Sequence, residues 1–358
     1  MALYGMGIVV APIIGPTLGG WITDNYSWRW IFYINLPIGA LAAFMANSFV
    51  EDPPYLREQK PGKIDYMGFG LMALGLGALE LTLDLGEQRD WFESGLICFT
   101  AAVSAISLIS FVVWELLTPE PIVNLRVFLN RNFAVACGLI ATVGVVLYAT
   151  TALLPLFLQT LMGYPAVLSG EAVSPRGIGA IISMVVVGRL IPKVDTRYLV
   201  FFGFSLLAYS IYLFTGLSLD ITMSSIVYPM IVSGFALGFV FVPLTTLSVA
   251  TLPQREIGNA SGVYNLMRNT GGSIGIAIMT TLLMRNQQFH QSILTAHANQ
   301  YNPAFQHAVE QIRQGIGVGL DPVTGTAQAY GLIYQMIVRE AAVLAYNDDF
   351  WILTVLCA

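Results

Sequence analysis

Charge is scarce in this chain. Only 10% of its 358 residues are Asp, Glu, Lys or Arg and 56% are hydrophobic, with a mean hydropathy of +0.70. Soluble domains carry about 25% charged residues, so a water-soluble globule is excluded and a bilayer is the solvent that fits. The 16 basic residues are outnumbered by 21 acidic ones, for a net charge of −5. That balance supplies no electropositive surface for nucleic acid. Cysteine is nearly missing. Cys98, Cys137 and Cys357 give neither a disulfide framework nor a CxxC pair, and each sits in an apolar run as a packing residue. HExxH, GxSxG and Walker-type loops are absent, and Gly315 and Gly317 lack the strand-then-helix setting of a phosphate cradle. An intramembrane enzyme is disfavoured, and no cofactor is implied.

Long apolar runs are what the sequence has instead. A hydrocarbon core about 30 Å thick takes ~20 helical residues to cross. Nine runs reach that length, at 3–22, 31–50, 66–85, 95–114, 133–158, 166–190, 198–217, 223–248 and 262–284, and a tenth opens near Tyr346. They are uniformly apolar, whereas barrel strands alternate over ~10 residues. The expected fold is all-α, a polytopic transmembrane helical bundle embedded in the lipid bilayer. No run has the form of a cleavable signal peptide. The chain opens inside one span and ends inside another, which reads as a fragment.

Lys and Arg set the orientation. If the first span runs outward, the inner loops hold Arg57, Lys60, Lys63, Arg126, Arg131, Arg189, Lys193, Arg197, Arg255 and Arg268, and the short outer loops only Arg29, Arg89 and Arg176. Loops 51–65, 115–132, 189–197 and 251–261 are therefore expected in the cytoplasm. The first of these, EDPPYLREQKPGKID, is charged and proline-containing and reads as a solvated linker. The connection 285–343 is too long for a turn and too polar to span. Within it, FHQSILTAHANQ and AFQHAVEQIRQGI show helical spacing on either side of Pro303, which predicts two short outer helices. His290 and His297 share a helix face there, but no third ligand stands at fixed spacing, so exposed polar histidines fit better than a metal site.

Glycine and proline crowd the first span, GMGIVVAPIIGPTLGG. Helices in lipid associate by dispersion between closely approaching backbones, which small residues permit. Gly15 and Gly19 lie four apart on one face, and Pro12 and Pro16 each remove a backbone hydrogen bond. The product is a bent helix with a bare side. A generic packing motif would look the same.

The longer string GMGIVVAPIIGPTLGGWITD resembles the antiporter signature of the major facilitator superfamily, which lies in that family's fifth helix. NYSWRWIFYINLPIG is similar to the start of the sixth helix in fourteen-helix drug:proton antiporters of the EmrB/QacA type. LDLGEQRDWF, EPIVNLRVFLNRNF, LPLFLQTLMGY, SPRGIGA, ASGVYNLMRNTGGSIGIAI and LAYNDDFW follow in that family's order.

The resemblance implies that residues 1–50 are the last two helices of an amino-terminal half and 51–65 a cytoplasmic linker. Residues 66–132 would be an extra helix pair with its cytoplasmic loop. Residues 133–358 would be a carboxy-terminal six-helix half with a periplasmic insertion at about 285–343 and a truncated last helix. The first four helices, with the usual proton-coupling residues, would lie upstream. Function on this basis is proton-coupled export of hydrophobic or cationic drugs from the bacterial inner membrane by alternating access, driven by the proton gradient. A periplasmic adaptor protein and an outer-membrane channel would be partners. Export of another small molecule, such as a metabolite or siderophore, or a non-transporting scaffold or channel, are the alternatives.

The resemblance also assigns roles by position. Gly5, Pro12, Gly15, Pro16, Gly19 and Gly20 would seal against the 166–190 span at Gly177, Gly179 and Ser183. Gln159, Asn265, Arg268, Phe235 and Phe239 are substrate-cavity candidates, with helix packing or snorkelling as the plainer readings. Glu80 and Asp84 share a face of the extra pair, and reaching the outer water layer is favoured over a proton relay. Arg176 attracts anionic groups or pairs with a carboxylate such as Glu171, or else anchors at the interface. Asp195 and Arg197 resemble a degenerate cytoplasmic loop signature that would hold helix ends together.

Overall fold

The computed structural model describes residues 15–49, 65–119, 121–299, 301–316 and 322–358. Gly5, Pro12 and nearly all of the 51–65 linker lie outside these residues. Among the described residues there is no strand. Helix α1 covers 15–25 and α2 covers Trp30–Phe49. They are followed by α3 (Tyr66–Gly86), α4 (Gly95–Leu117), α5 (Arg131–Thr160), α6 (Ala166–Val173), α7 (Pro175–Leu190) and α8 (Thr196–Tyr212). The last four are α9 (Ser224–Val249), α10 (Ile257–His297), α11 (Pro303–Ile316) and α12 (Pro322–Cys357).

Among the described residues six helical stretches are long and apolar enough to cross a membrane: α2, Tyr66–Arg89, α4, α5, Ala166–Leu190 and α9. The expected 198–217 and 262–284 spans fall outside that set. Helix α8 stops at Tyr212 after 17 residues, and α10 carries Asn265, Arg268, Asn269 and Ser273 within its apolar part.

Three sequence expectations need correction. The 166–190 run is divided at Ser174 into α6 and α7, because Pro175 has no N–H to continue the ladder and opens a new first turn. FHQSILTAH is no separate outer helix but the end of α10, which runs unbroken for 41 residues to His297. The last span does not open near Tyr346 but continues a helix of 36 residues that begins at Pro322. At 1.5 Å per residue these helices are roughly 60 and 54 Å long, so both project well past a hydrocarbon core. Helix α11 packs on the projecting part of α12, with Phe305 stacked on Tyr330 at 5.7 Å.

Glycines decide which helices touch. On the α5–α10 seam, a Cβ at Gly144 would collide with the Arg268 carbonyl, one at Gly271 with the Ala141 carbonyl, and one at Gly275 with Val145. On the α7–α9 seam, Gly179 meets the Ile231 carbonyl, Gly234 the Arg176 carbonyl and Gly238 the Ser183 hydroxyl. These are the two most extensive helix pairs of the fold. Around them Phe133, Leu153 and Phe157 of α5, Ile211 of α8, Met230 of α9 and Phe350 of α12 form one continuous apolar core.

The extra pair α3–α4 is held by Ser104 Oγ donating to the Gly75 carbonyl at 3.0 Å and Thr82 donating to Thr100 at 2.9 Å. Helix α2, by contrast, buries no residue.

Side-chain amides tie the loops at one end. Asn124 N–H donates to Asn259 Oδ1 at 3.0 Å, and the Asn259 amide returns a bond to the Asn124 carbonyl at 3.1 Å. Thr251 donates to Asn130 Oδ1 at 3.1 Å. Trp114 Nε1 donates to the Asp65 carboxylate at 3.0 Å, and the buried Glu115 accepts from Val123 N–H at 3.2 Å. Loops 115–132 and 251–261 and the start of α3 thus share the end that the Lys and Arg distribution assigns to the cytoplasm.

Overpacking a tight backbone contact costs about 1–3 kcal/mol and more where a carbonyl must move. Gly144→Val is therefore expected to lower the thermal unfolding midpoint of the detergent-solubilised protein by several degrees, while Gly138→Val, whose Cβ would meet open space, leaves it near the parent value.

Candidate functional site

The signature helix α1 meets the carboxy-terminal half along α6. A Cβ at Gly20 would overlap the Ala166 carbonyl, and one at Gly170 would overlap the Pro16 carbonyl. Thr17 Oγ1 and Ser174 Oγ share a hydrogen bond of 2.7 Å. Asp24 Oδ2 accepts from Val167 N–H at 2.8 Å. It thereby places a carboxylate on the first turn of α6, where free N–H groups and the helix dipole favour negative charge.

The seam is displaced from the one expected. Gly15 and Gly19 do not form it, since a Cβ on either meets nothing within 4 Å; Pro16, Thr17 and Gly20 do. The partner is 166–174, not 177–183. Gly179 and Ser183 are turned to α9, and Gly177 is buried within α7. The reason is the break at Pro175, which separates α6 from α7 so that α7 is free to pack on α9.

Beside this seam a row of polar contacts crosses the carboxy-terminal half. Arg176, at the start of α7, donates from Nη1 to Thr151 Oγ1 at 2.7 Å and from Nη2 to Thr150 Oγ1 at 2.8 Å, both on α5. Its buried Nε has no partner. One turn back along α5, Tyr148 Oη donates to Asn269 Oδ1 of α10 at 3.3 Å, and Arg268 Nε donates to the same oxygen at 3.3 Å. One turn on along α10, Ser273 Oγ donates to Glu80 Oε1 of α3 at 2.7 Å. Four helices thus contribute to one belt with two guanidiniums and one carboxylate, and Asn269 and Glu80 on it are exposed.

Two hydroxyls do not neutralise a guanidinium. A hydrogen bond to a charged group contributes about 1.5–3 kcal/mol, against several kcal/mol for holding an unpaired cation at membrane depth. Glu171, the carboxylate expected to pair with Arg176, is exposed and makes no ion pair with it. The belt is consequently a place where an anionic or strongly dipolar group is attracted.

Other candidates lie elsewhere. Phe239 is buried and Phe235 partly buried, their rings 5.1 Å apart, with Phe202 5.0 Å from Phe239. Phe235 and Phe239 pack with Val187 and Leu199 in one apolar cluster between α7, α8 and α9. Gln159 is exposed at the end of α5. Asn265 is exposed and donates to the Ser261 carbonyl of its own helix. Asp84 is exposed on α3. Asp195 caps α8 by accepting from Arg197 N–H at 2.9 Å, so this pair fastens one helix start and not two helix ends.

Cys98 is exposed and Cys137 and Cys357 are buried. His297 is exposed as expected, whereas His290 is only partly exposed and pairs with Asp348 at 2.7 Å; no group of metal-ligating side chains occurs among the described residues. Asp24, Thr17, Ser174, Thr150, Thr151, Tyr148 and Ser273 were not foreseen. Asp24 ends the WITD string and so carried a signal as an acidic group at a helix end, whereas the small hydroxyl residues carry none in a span.

Residues 1–276 match the family model of the Major Facilitator Superfamily. The chain belongs to that superfamily. It is similar to the multidrug export protein EmrB of Escherichia coli K12, with 36% identity over 355 residues, covering 98% of this chain and 67% of that protein. It is also similar to the fatty acid resistance protein FarB of Neisseria gonorrhoeae, with 34% identity over 353 residues and the same coverages. The colistin resistance protein EmrB of Acinetobacter baumannii is 29% identical over 354 residues, 97% of this chain and 67% of that protein. The superfamily consists of membrane transporters, and this member is a multi-pass protein of the bacterial inner membrane.

The seam makes a register-specific prediction. In a background lacking the native cysteines, Thr17→Cys combined with Ser174→Cys is expected to form an oxidant-induced disulfide, seen as a change in gel mobility, because the two side-chain oxygens lie 2.7 Å apart. Gly19→Cys combined with Ser174→Cys is expected not to.

Proposed function

We propose that this major facilitator protein is a proton-driven multidrug exporter working by alternating access, with the α1–α6 seam as a sliding contact and the polar belt facing the transport route. The observation that carries the reading is the overlap of nearly the whole chain with multidrug export proteins at 34–36% identity. The structure supports it with a seam built of close backbone contacts at Gly20 and Gly170, a pair of hydroxyls and one capping carboxylate. Such a surface lets rigid halves shift while excluding ions.

A second reading, amphiphilic acids as substrates, is favoured by Arg176, a belt cation paired only with hydroxyls, and is in keeping with the fatty acid resistance protein among the relatives. Vesicles of the full-length protein are expected to lose a preset pH gradient on addition of transported drug, read with a pH-sensitive dye. Drug movement without proton movement would refute the coupling. Arg176→Ala is expected to reduce transport of carboxylate drugs roughly tenfold, one lost charged hydrogen bond being worth about 1.5–3 kcal/mol, while sparing cationic drugs. An equal loss for both classes would remove the second reading.

The projecting ends of α10 and α12, with α11, form a helical extension that exposes Phe289, Tyr301, Tyr334 and Met336. We assign this extension to the periplasm as the docking surface of an adaptor protein that links the exporter to an outer-membrane channel. Deleting 286–325 is expected to abolish adaptor co-purification. Unchanged recovery of the adaptor would remove the assignment.

A further inference from the structure

The last helix carries two adjacent carboxylates with opposite fates. Asp348 is directed to the rim, where it pairs with His290 of α10 at 2.7 Å and its side chain stays 46% exposed. Asp349 is fully buried at 0% exposure, and neither of its oxygens has a hydrogen-bond partner. It falls on the helix face that also carries Tyr346, Phe350 and Leu353, all members of the main apolar core, which α12 forms with α10, α8 and α5.

The neighbouring Asn347 cannot serve it. Its side chain is committed twice to the α8–α9 connection, accepting from Leu217 N–H at 2.9 Å and donating to the Leu217 carbonyl at 3.1 Å. Nor does any cation approach. The titratable groups around Asp349 are Tyr346 and Asp348 on its own helix, His290 on α10, already bonded to Asp348, and Tyr212 on α8, whose ring packs on Trp351 at 6.5 Å. From α5 the packed neighbour is Phe157, edge-on to Tyr346 at 5.2 Å, which brings no charge.

An ionised carboxylate in such surroundings would be a desolvated charge without compensation, which proteins avoid by binding a proton or a partner cation. No side chain supplies the cation. We infer that Asp349 is a proton-binding site in the carboxy-terminal half, neutral in the conformation seen and loaded and emptied only when the α12 seam opens to water. In the loading step a hydronium ion transfers one proton to a carboxylate oxygen of Asp349, leaving a water molecule and a neutral acid. The reverse step returns the proton to water. The His290–Asp348 pair holds the second carboxylate outward, so that its negative charge stays in the solvated rim. This inference concerns proton binding by the chain itself and stands whether or not drug export is proton-driven.

Apolar carbodiimides modify protonated carboxyls in dry surroundings and leave hydrated carboxylates alone, so they report the site directly. The protein in liposomes is to be treated with dicyclohexylcarbodiimide across a pH series and its peptides analysed by mass spectrometry. The expected result is an adduct on Asp349 and not on Asp348 at neutral pH, its yield falling about tenfold per pH unit once pH exceeds the midpoint of the site. Asp348→Asn is expected to leave the Asp349 adduct in place. In parallel, the infrared carbonyl band of a protonated carboxylic acid is expected at neutral pH and expected to vanish in Asp349→Asn.

An unmodified Asp349 at neutral pH, or an adduct yield independent of pH, would overturn the inference. So would a carboxylic acid band that persists unchanged in Asp349→Asn when that variant keeps the parent's unfolding midpoint. A working site with no drug-dependent proton flux in vesicles would instead count against proton-driven export and leave Asp349 standing.

Discussion

In lipid, water no longer pushes helices together, and what remains is contact between backbones close enough for dispersion to add up. In this protein that contact is made where glycine faces a carbonyl. Gly144 and Gly271 admit α10 to α5, and Gly179 and Gly234 admit α9 to α7. The large apolar residues then fill the space between seams already set, as Phe133, Phe157 and Phe350 do. Such seams leave no room for a side chain larger than hydrogen at these positions.

The α1–α6 contact uses the same device with a lighter hand. One close approach at Gly20 and one at Gly170 flank a pair of hydroxyls, and Asp24 finishes the contact on the free amides of α6. Val167 lies in the first turn of α6, just after Pro165, where the N–H groups have no carbonyl four residues back to bond. The start of the helix at Pro165 thus supplies the free amides that Asp24 caps.

Charge in the membrane part is handled in two ways. Along the belt, Arg176, Arg268 and Glu80 sit among hydroxyl and amide groups that take up part of their hydrogen-bonding capacity. In the apolar core, neither oxygen of Asp349 has a hydrogen-bond partner, and the proton we assign to it is what would keep it neutral. Both arrangements involve α5 and α10, one of the two most extensive helix pairs of the fold.

Much of the architecture was legible in the residues: uniformly apolar runs require helices because backbone groups in hydrocarbon must be satisfied within each segment, and the order of motifs placed the chain in its superfamily. The outer end of α10 was expected as a separate short helix and that of α12 as a connection, since polar composition after a span suggests an ending although nothing there breaks the helix. The row of Tyr148, Asn269, Ser273 and Glu80 was invisible, because its members are up to 193 residues apart and each looks ordinary alone. Sequence by itself determined that this chain lives in a bilayer and that its long apolar runs are helical, both being local or compositional properties. Which glycines are used, which hydroxyls meet Arg176 and which of two adjacent aspartates is buried were decided only by tertiary structure, because rotation of one helix against its neighbours sets them and no local pattern records that angle.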